Sequence, residues 1–302
     1  MLTEREFQIL LAIVRYYVLS RPQIQRLFFQ GDRGGRHTRR RLQMLVDEHL
    51  IDRQRMLYCL PTAGSPSSVY YPSPKGCQLL AEHFEDDRFL LTPVQAPIPH
   101  HINHWLAISE THITLDQAIK NETELTVADW VNEWDIVNKD ESVPENRFRL
   151  FTLLNDQPRL VNSPDAAFVL SMLGHRKVYF LEQDRATSGV NQIASSKTQG
   201  YSIMAERQLH REQFPQVNVS SFTILMIAPT AQRRDALRRA IHGKPGSALW
   251  RFAAANELTP ETFLRAPLFY PCEGDPSSLI KVPADVRNAA QNTSGIGHGG
   301  TS

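Results

Sequence analysis

GGRHTRRRLQMLVDEHL occupies residues 34–50, and the reading of this stretch decides the first half of the chain. Two glycines open it, and Arg36, Arg39, Arg40 and Arg41 follow within six positions. Leu42, Leu45, Val46 and Leu50 recur at intervals of three and four, which places them on one face of a helix. A helix that is basic in its first turns and anchored by leucines behind suits end-on presentation to a nucleic-acid duplex. A solvated, arginine-rich surface helix is the competing reading, and the flanking sequence decides between them.

On the N-terminal side, Thr3 with Glu6 forms a capping-box pattern for a helix running to about Tyr17, with Phe7, Leu10, Leu11 and Val14 as its expected buried stripe. Ser20 with Gln23 repeats the pattern, and Pro22 stands in the first turn, where a missing N–H costs nothing. A short helix is expected over residues 21–29, and Gly31, Asp32, Arg33, Gly34 and Gly35 turn the chain into the basic helix. On the C-terminal side, residues 51–58 and 68–71 are β-prone and flank the loop PTAGSP at 61–66, and a further helix is expected over 76–84. Helix, short helix, turn, basic helix and hairpin, in that order, resemble a winged helix-turn-helix over residues 1–90. In that reading Arg36, Arg39 and Arg40 reach the major groove, with Thr38 and Gln43 as base readers. Arg33, Arg41, Arg53 and Arg55 contact phosphates, which carry affinity and little sequence information. A winged helix that binds a protein instead is the alternative.

The 302 residues suffice for two cores, and the composition, 41% hydrophobic and 22% charged, is that of an ordinary globular protein. The net charge of +1 hides an uneven distribution. Residues 21–56 carry nine arginines against four acids, whereas residues 100–165 carry five basic and twelve acidic side chains. Partners are therefore met by patches, one of which favours polyanions. Within the acidic part, residues 121–145 either repel DNA or meet a partner. Cys59, Cys77 and Cys272 are odd in number and lack metal-ligand spacing, so they read as reduced thiols of a cytoplasmic protein. The first residues read as an amphipathic helix with no signal-peptide pattern, and no apolar run approaches the ~20 residues of a membrane span.

Three prolines without helical period between residues 86 and 99 mark a linker, bounded at 91–99. Beyond it, residues 100–282 read as an α/β domain, α+β for the whole chain, with a mixed central sheet. A long helix comes first, carrying His101, His104 and His112, whose spacing is not that of a zinc site. A short amphipathic helix is expected at residues 129–134, with Glu133 as its most interesting acid. Strands are expected at 148–153, 166–170, 177–181 and 222–228, and helices at 189–210 and 231–241. Residues 283–302, rich in Gly, Ser, Thr and Asn, read as a disordered tail.

The candidate chemistry lies at strand ends. Pro164-Asp165 opens one strand, and Glu182-Gln183-Asp184 closes the next. Residues two apart on a strand share a side, so Glu182 and Asp184 are expected to face Asp165. Three such carboxylates are hard ligands for Mg²⁺, which would stabilise charge on a phosphate and activate a water. Lys197 and Tyr201 share one face of the following helix.

Pro164-Asp165 with Glu182-x-Asp184 resembles the PD-(D/E)xK nuclease signature of restriction-endonuclease-like folds. Together with HHINHWLAISE, DWVNE, SPDAAFVL, FLEQDRAT and SKTQGY, the chain resembles the plasmid replication-relaxation family over residues 1–230. That resemblance implies a double-stranded-DNA-binding protein of a plasmid or other mobile element, acting in replication, mobilisation or their regulation. A homodimer and a protein partner from the mobile-element machinery stay open, and no membrane is implied. The nuclease pattern wants a lysine where Asp184 stands. Either Lys197 supplies the ammonium to an active Mg²⁺-dependent DNA endonuclease built on Asp165, Glu182 and Asp184, or the domain is degenerate and its acids are structural.

Overall fold

The structure, a computed structural model, describes residues 2–56, 68–120 and 122–280. Helix α1 (Glu4–Tyr16) opens on the expected capping box, with Glu6 accepting the Thr3 N–H at 2.7 Å. Its buried face is Ile9, Leu10, Ala12, Ile13 and Tyr16. Of the stripe expected from sequence, only Leu10 is fully buried, and Phe7, Leu11 and Val14 lie half-covered at its margin. The arc is displaced because α1 packs on several partners at once, and Tyr16 reaches across to donate to Asp116 at 2.7 Å.

The two-residue strand β1 (Leu19–Ser20) leads into α2 (Arg21–Phe28), where Ser20 and Gln23 cap reciprocally and Pro22 sits in the first turn. The basic helix α3 spans Arg36–Asp47. Gly35 precedes it at φ +65°, and a Cβ there would come within 2.8 Å of Gln25 Oε1, so the turn requires glycine. Strands β2 (Ile51–Arg55) and β3 (Ser68–Pro72) pair antiparallel, and β1 pairs with β3 to complete a three-stranded sheet. The expected loop at 61–66 and Cys59 fall outside the described residues. Helix α4 (Pro74–Phe84) starts two residues earlier than the sequence suggests, because Ser73 caps it by accepting the Gly76 N–H at 3.0 Å.

The segment expected as a linker is anchored at several points. Residues Asp87–Leu91 form a 3₁₀ turn, Pro97 is buried, and the Gln95 carbonyl accepts the Tyr17 hydroxyl at 3.3 Å. Helix α5 (Ile102–Ile119) then packs against α1 and β1 on one side and β4 and β8 on the other. Ser109 Oγ lies 2.9 Å from the carbonyls of both Tyr16 and Val18.

Strand β4 (Leu125–Asn132) is followed by the short helix α6 (Pro144–Arg147) and the hairpin β5 (Thr152–Asp156)–β6 (Arg159–Asn162). Strands β7 (Ala166–Met172) and β8 (His175–Gln183), helices α7 (Val190–Glu206) and α8 (His210–Gln213), strand β9 (Thr223–Ala228), helix α9 (Ala231–Ile241), and strands β10 (Trp250–Ala254) and β11 (Tyr270–Pro271) complete the order. The six-stranded sheet runs β11-β10-β9-β8-β7-β4. β8, β9 and β10 are mutually parallel and the remaining pairs are antiparallel, so the sheet is mixed and the fold is α+β overall.

Two expectations need correction. Residues 129–134 are expected as a helix, but Asp129–Asn132 belong to β4 and Glu133 lies just beyond its end. Trp130 and Trp134 are four apart, which imitates a helical stripe. Yet Trp130 stacks on Phe168 of β7 at 5.4 Å and on His112 of α5 at 3.7 Å, a contact made across a sheet. The strand expected at 148–153 begins instead at Thr152, and Phe148 forms only an isolated bridge to Ile136. Strands β10 and β11, five and two residues long, carry no sequence pattern of their own and form by pairing, β10 beside β9 and β11 beside β10. The expected tail at 283–302 lies outside the described residues.

Tyr17, Val18, Val69 and Tyr71 share one apolar cluster with Trp105, Ile108, Phe168 and Leu181, so the first 90 residues and the sheet are built around common packing. The opposite sheet face is covered by α7 and α9 through Tyr201, Met204, Leu237 and Ile241.

Candidate functional site

Five elements converge on the edge of the sheet where β7 begins and β8 ends. Asp165 immediately precedes β7, and its N–H donates to the Leu181 carbonyl at 3.1 Å, which continues the β7–β8 ladder by one residue. Glu182 therefore lies beside it. Glu133, at the end of β4, donates its backbone N–H to the Asp165 carbonyl at 3.0 Å. α5 contributes His104 and Trp105, and α7 contributes Lys197 and Tyr201, one turn apart as the sequence spacing expects.

Glu182 is the centre of the cluster. Its carboxylate accepts from Lys197 Nζ at 3.0 and 2.8 Å and from the Tyr201 hydroxyl at 2.7 Å. Lys197 also donates to the Ser163 carbonyl at 3.1 Å, which uses its remaining donor. Asp165 accepts the Gln183 N–H at 2.6 Å, and His104 Nε2 stands 3.3 Å from its other oxygen. Trp105 Nε1–H donates to Glu133 at 2.8 Å.

The charges follow from this geometry. Burial pushes Glu182 up to about 7, against the pull of Lys197. Burial also opposes the Lys197 ammonium, but Glu182 and Asp165 outweigh it and raise its pKa. Asp165 is buried too, yet His104 and Lys197 hold it below the usual carboxylate range. His104 is raised in return, since Asp165 more than offsets its burial. Burial, and then Asp165, raise Glu133.

Asp184 does not join them. β8 ends at Gln183, and the Asp184 N–H goes to the Ile227 carbonyl of β9 at 2.9 Å. Its carboxylate accepts Arg233 Nε at 2.7 Å and Nη2 at 3.1 Å, and Arg233 also donates to the Ser188 carbonyl at 2.6 Å. Glu182 and Asp184 do share a side, as strand alternation expects: Glu182 meets α7 and Asp184 meets α9, whereas Gln183 accepts the Thr111 hydroxyl of α5 at 2.9 Å on the opposite face. It is Arg233 that takes up the Asp184 carboxylate. Among the described residues, no group of three or more His, Cys, Asp or Glu side chains is placed to share an ion. The expected Mg²⁺ set of Asp165, Glu182 and Asp184 is thus not assembled, and Glu182 already has its oxygens occupied by Lys197 and Tyr201. The residues do not fit the ion in this arrangement.

Asp165, Glu182, Lys197 and His104 line a cavity of about 550 Å³, together with His100, His101, Asn103, Asp184 and Arg185. A second cavity, about 560 Å³, adjoins it and shares Asn103, Gln183, Asp184 and Arg185.

The basic helix presents a different kind of site. Arg33, Arg36, Arg39 and Arg40 are exposed at the start of α3, and none is ion-paired among the described residues. Arg55, on β2, is likewise exposed. Thr38 lies inside, at 0% exposure, donating its N–H and hydroxyl to Asp32 at 2.8 Å each. Its expected role as a base reader is corrected to that of a helix-start clamp. Arg41 donates to buried Glu6 at 2.9 Å, which occupies it inside the fold. Gln43 holds Asp47 at 2.7 Å and Arg53 at 2.8 Å, bracing the hairpin against α3.

Sequence reasoning found Asp165, Glu182, Lys197 and Tyr201, and it singled out Glu133. The basic helix at 231–241 was a candidate partner for these acids, and Arg233 of it meets Asp184. The roles of His104 and Gln183 were missed, because their partners lie far along the chain and no local spacing announces them.

These features define a class: an α+β protein with an exposed arginine helix near one end of its chain and a buried carboxylate–lysine cluster at the edge of a mixed sheet. The family described as replication-relaxation matches residues 10–217, more than half of the chain, and the chain belongs to that family. Membership ties it to replication or mobile-element function. Comparison with curated proteins and with solved structures gave no match in either case. No helix among the described residues is long and apolar enough to cross a membrane.

Proposed function

We propose that the chain binds double-stranded DNA through a winged helix-turn-helix formed by its first 90 residues, and that the nuclease-like second part is a degenerate, structurally paired site. The observation that carries this reading is the unpaired cluster Arg33, Arg36, Arg39 and Arg40 at the start of α3. A helix N-terminus bears partial positive charge, so cations there cost roughly 0.3–1 kcal/mol each when nothing anionic is present. Folding alone does not favour that placement, whereas a phosphate backbone relieves it. Arg36, Arg39 and Arg40 would enter the major groove, with Arg33, Arg53 and Arg55 on phosphates.

The cluster at Glu182 supports the second half of the proposal. Each acid of the expected site is already met by another group of the chain: Glu182 by Lys197 and Tyr201, Asp165 by His104, and Asp184, outside the cluster, by Arg233. The competing reading, an active metal-dependent endonuclease, is favoured by the shared cavity that Asp165, Glu182 and Lys197 line. In that reading a metal would first have to displace Lys197 from Glu182.

One experiment separates these readings. The purified protein is incubated with labelled duplex and with supercoiled plasmid, in EDTA, Mg²⁺ or Mn²⁺, with Asp165→Ala alongside. Binding without nicking, equal in both proteins, is the expected result. Metal-dependent nicking that vanishes in the variant would overturn the degenerate assignment, and absence of duplex binding would overturn the first half. A salt dependence near −5 in log K against log salt is expected for about six phosphate contacts.

A further inference from the structure

We propose that the two adjoining cavities form one track for a single DNA strand, with Arg185 as its phosphate contact and Asn103 and Asn256 as contacts to base edges. The proposal rests on the DNA-binding reading of α3 and extends it to a second part of the molecule.

The track lies at the carboxyl ends of the parallel strands β8, β9 and β10. Asp184 and Arg185 follow β8, Pro229 follows β9, and Ala255 and Asn256 follow β10. In sheets of parallel strands, ligands gather in the crevice at these ends. The opposite wall is α5, and the far rim is Ser20 and Gln23 at the start of α2. Volumes of about 560 and 550 Å³ are ligand-sized, and both cavities open to solvent, which suits successive nucleotides of one strand.

In the cavity of about 560 Å³ three polar lining side chains are exposed and have no hydrogen-bond or ion-pair partner among the described residues: Asn103, Arg185 and Asn256. Asn103 and Arg185 line both cavities, so they stand at the junction. Arg185 is presented on a fixed loop. Asp184 accepts the Ala186 N–H at 3.1 Å, and Arg233 ties Asp184 to the Ser188 carbonyl. That bracing gives Asp184 a role: it holds the loop that offers Arg185. Leu106, Ala107 and Leu258, each partly exposed, supply apolar surface beside these polar groups, against which the faces of bases can lie.

The path to the basic helix is short. α2 begins on the rim of the track and ends at the turn that opens α3, and its eight residues span about 12 Å at 1.5 Å each. In a duplex the phosphates of one strand rise by roughly 3.4 Å along the axis, and a separated strand extends further per nucleotide, so at most about four nucleotides connect the two regions. A strand separated from a duplex seated on α3 can thus reach Arg185.

The test compares three fluorescent DNAs on the full chain by anisotropy. These are a blunt duplex, the same duplex with a single-stranded arm of about six nucleotides on either end polarity, and the arm alone. The arm is expected to tighten binding about tenfold, and Arg185→Glu to remove that gain while blunt-duplex affinity stays within about twofold. Asn103→Ala is expected to reduce the gain in part, and Arg39→Ala to weaken the blunt duplex while the gain persists. Unchanged affinity on adding the arm, or a gain that survives Arg185→Glu, overturns the track and leaves duplex binding by α3 intact. Binding of armed or free strand without binding of blunt duplex would sink the α3 reading and keep the track. Failure to bind any of the three would reject both. Arg185 is exposed and makes no contact that folding needs, so an unchanged unfolding midpoint accompanies each informative result.

Discussion

The two charged regions of this molecule handle charge in opposite ways. At the start of α3, Arg33, Arg36, Arg39 and Arg40 stand in solvent without acids. At the sheet edge, Lys197, Glu182, Asp165 and His104 compensate one another within the protein, and the Glu182 side chain keeps only 5% exposure. Open charges of one sign are held ready for a partner, whereas closed sets of both signs have already found theirs. The same contrast appears within the nine arginines of residues 21–56. Arg26 meets Glu110 and Arg41 meets Glu6, so those two are spent on the fold.

The largest expected effect falls on the closed region. Lys197→Met leaves Glu182 buried without its cation and should cost about 3–5 kcal/mol in urea unfolding, with duplex binding per folded molecule unchanged. A loss below about 1 kcal/mol would mean that the cluster is as open as α3 and would break the comparison. On the open region, Arg39→Ala and Arg40→Ala should each weaken duplex binding by about 1–3 kcal/mol, with no change in unfolding midpoint. Titration of affinity against salt for each variant would sort base contacts from phosphate contacts, since only the latter flatten the slope.

The pH dependence sharpens the contrast. Glu182 is raised from its ordinary 4.5 to about 7, so between those values the folded protein keeps a proton that the unfolded chain has released. Stability therefore falls as pH rises through that window. His104, also raised, loses its contribution in the same direction. The difference between wild type and Glu182→Gln should shift by roughly 2–3 kcal/mol from pH 5 to pH 8, read from unfolding midpoints, and a flat difference would remove Glu182 from the account. Asp32→Ala, which removes the clamp on Thr38, should cost about 1 kcal/mol of stability. The smallest effect is Arg26→Ala. Its pair with Glu110 is about half exposed, and the loss should stay within about 0.2–1 kcal/mol.

Much of this was legible in the chain because it was written locally. The capping boxes at Thr3 and Ser20, Pro22, and the buried pair Leu42 and Leu45 all depend on neighbours three or four residues away, and the structure places them as read. Leu50, expected on the same helical face, is buried beyond the end of α3, and Val46 is half-covered. β4 was misread because Trp130 and Trp134 repeat at a helical interval, while the packing that decides the matter comes from Phe168 on another strand. β10 was missed for a related reason: the run Trp250–Ala254 is short and gains its ladder only by lying beside β9. The site shows the same division. Asp165 and Glu182 could be paired from strand reasoning, and so could the shared side of Glu182 and Asp184, but the distance between the α7 and α9 partners that separates those two acids could not. His104 carries no spacing signal at all, since its partner Asp165 is brought to it by the fold.

Tyr17, Val18, Val69 and Tyr71 sit in the same apolar cluster as Trp105 and Phe168. A scissor cut anywhere in the proline-rich strap at 86–99 would consequently strip both fragments of part of their interior. Neither piece should express as a well-behaved miniature of its half, and heating the intact chain should melt both halves in one step.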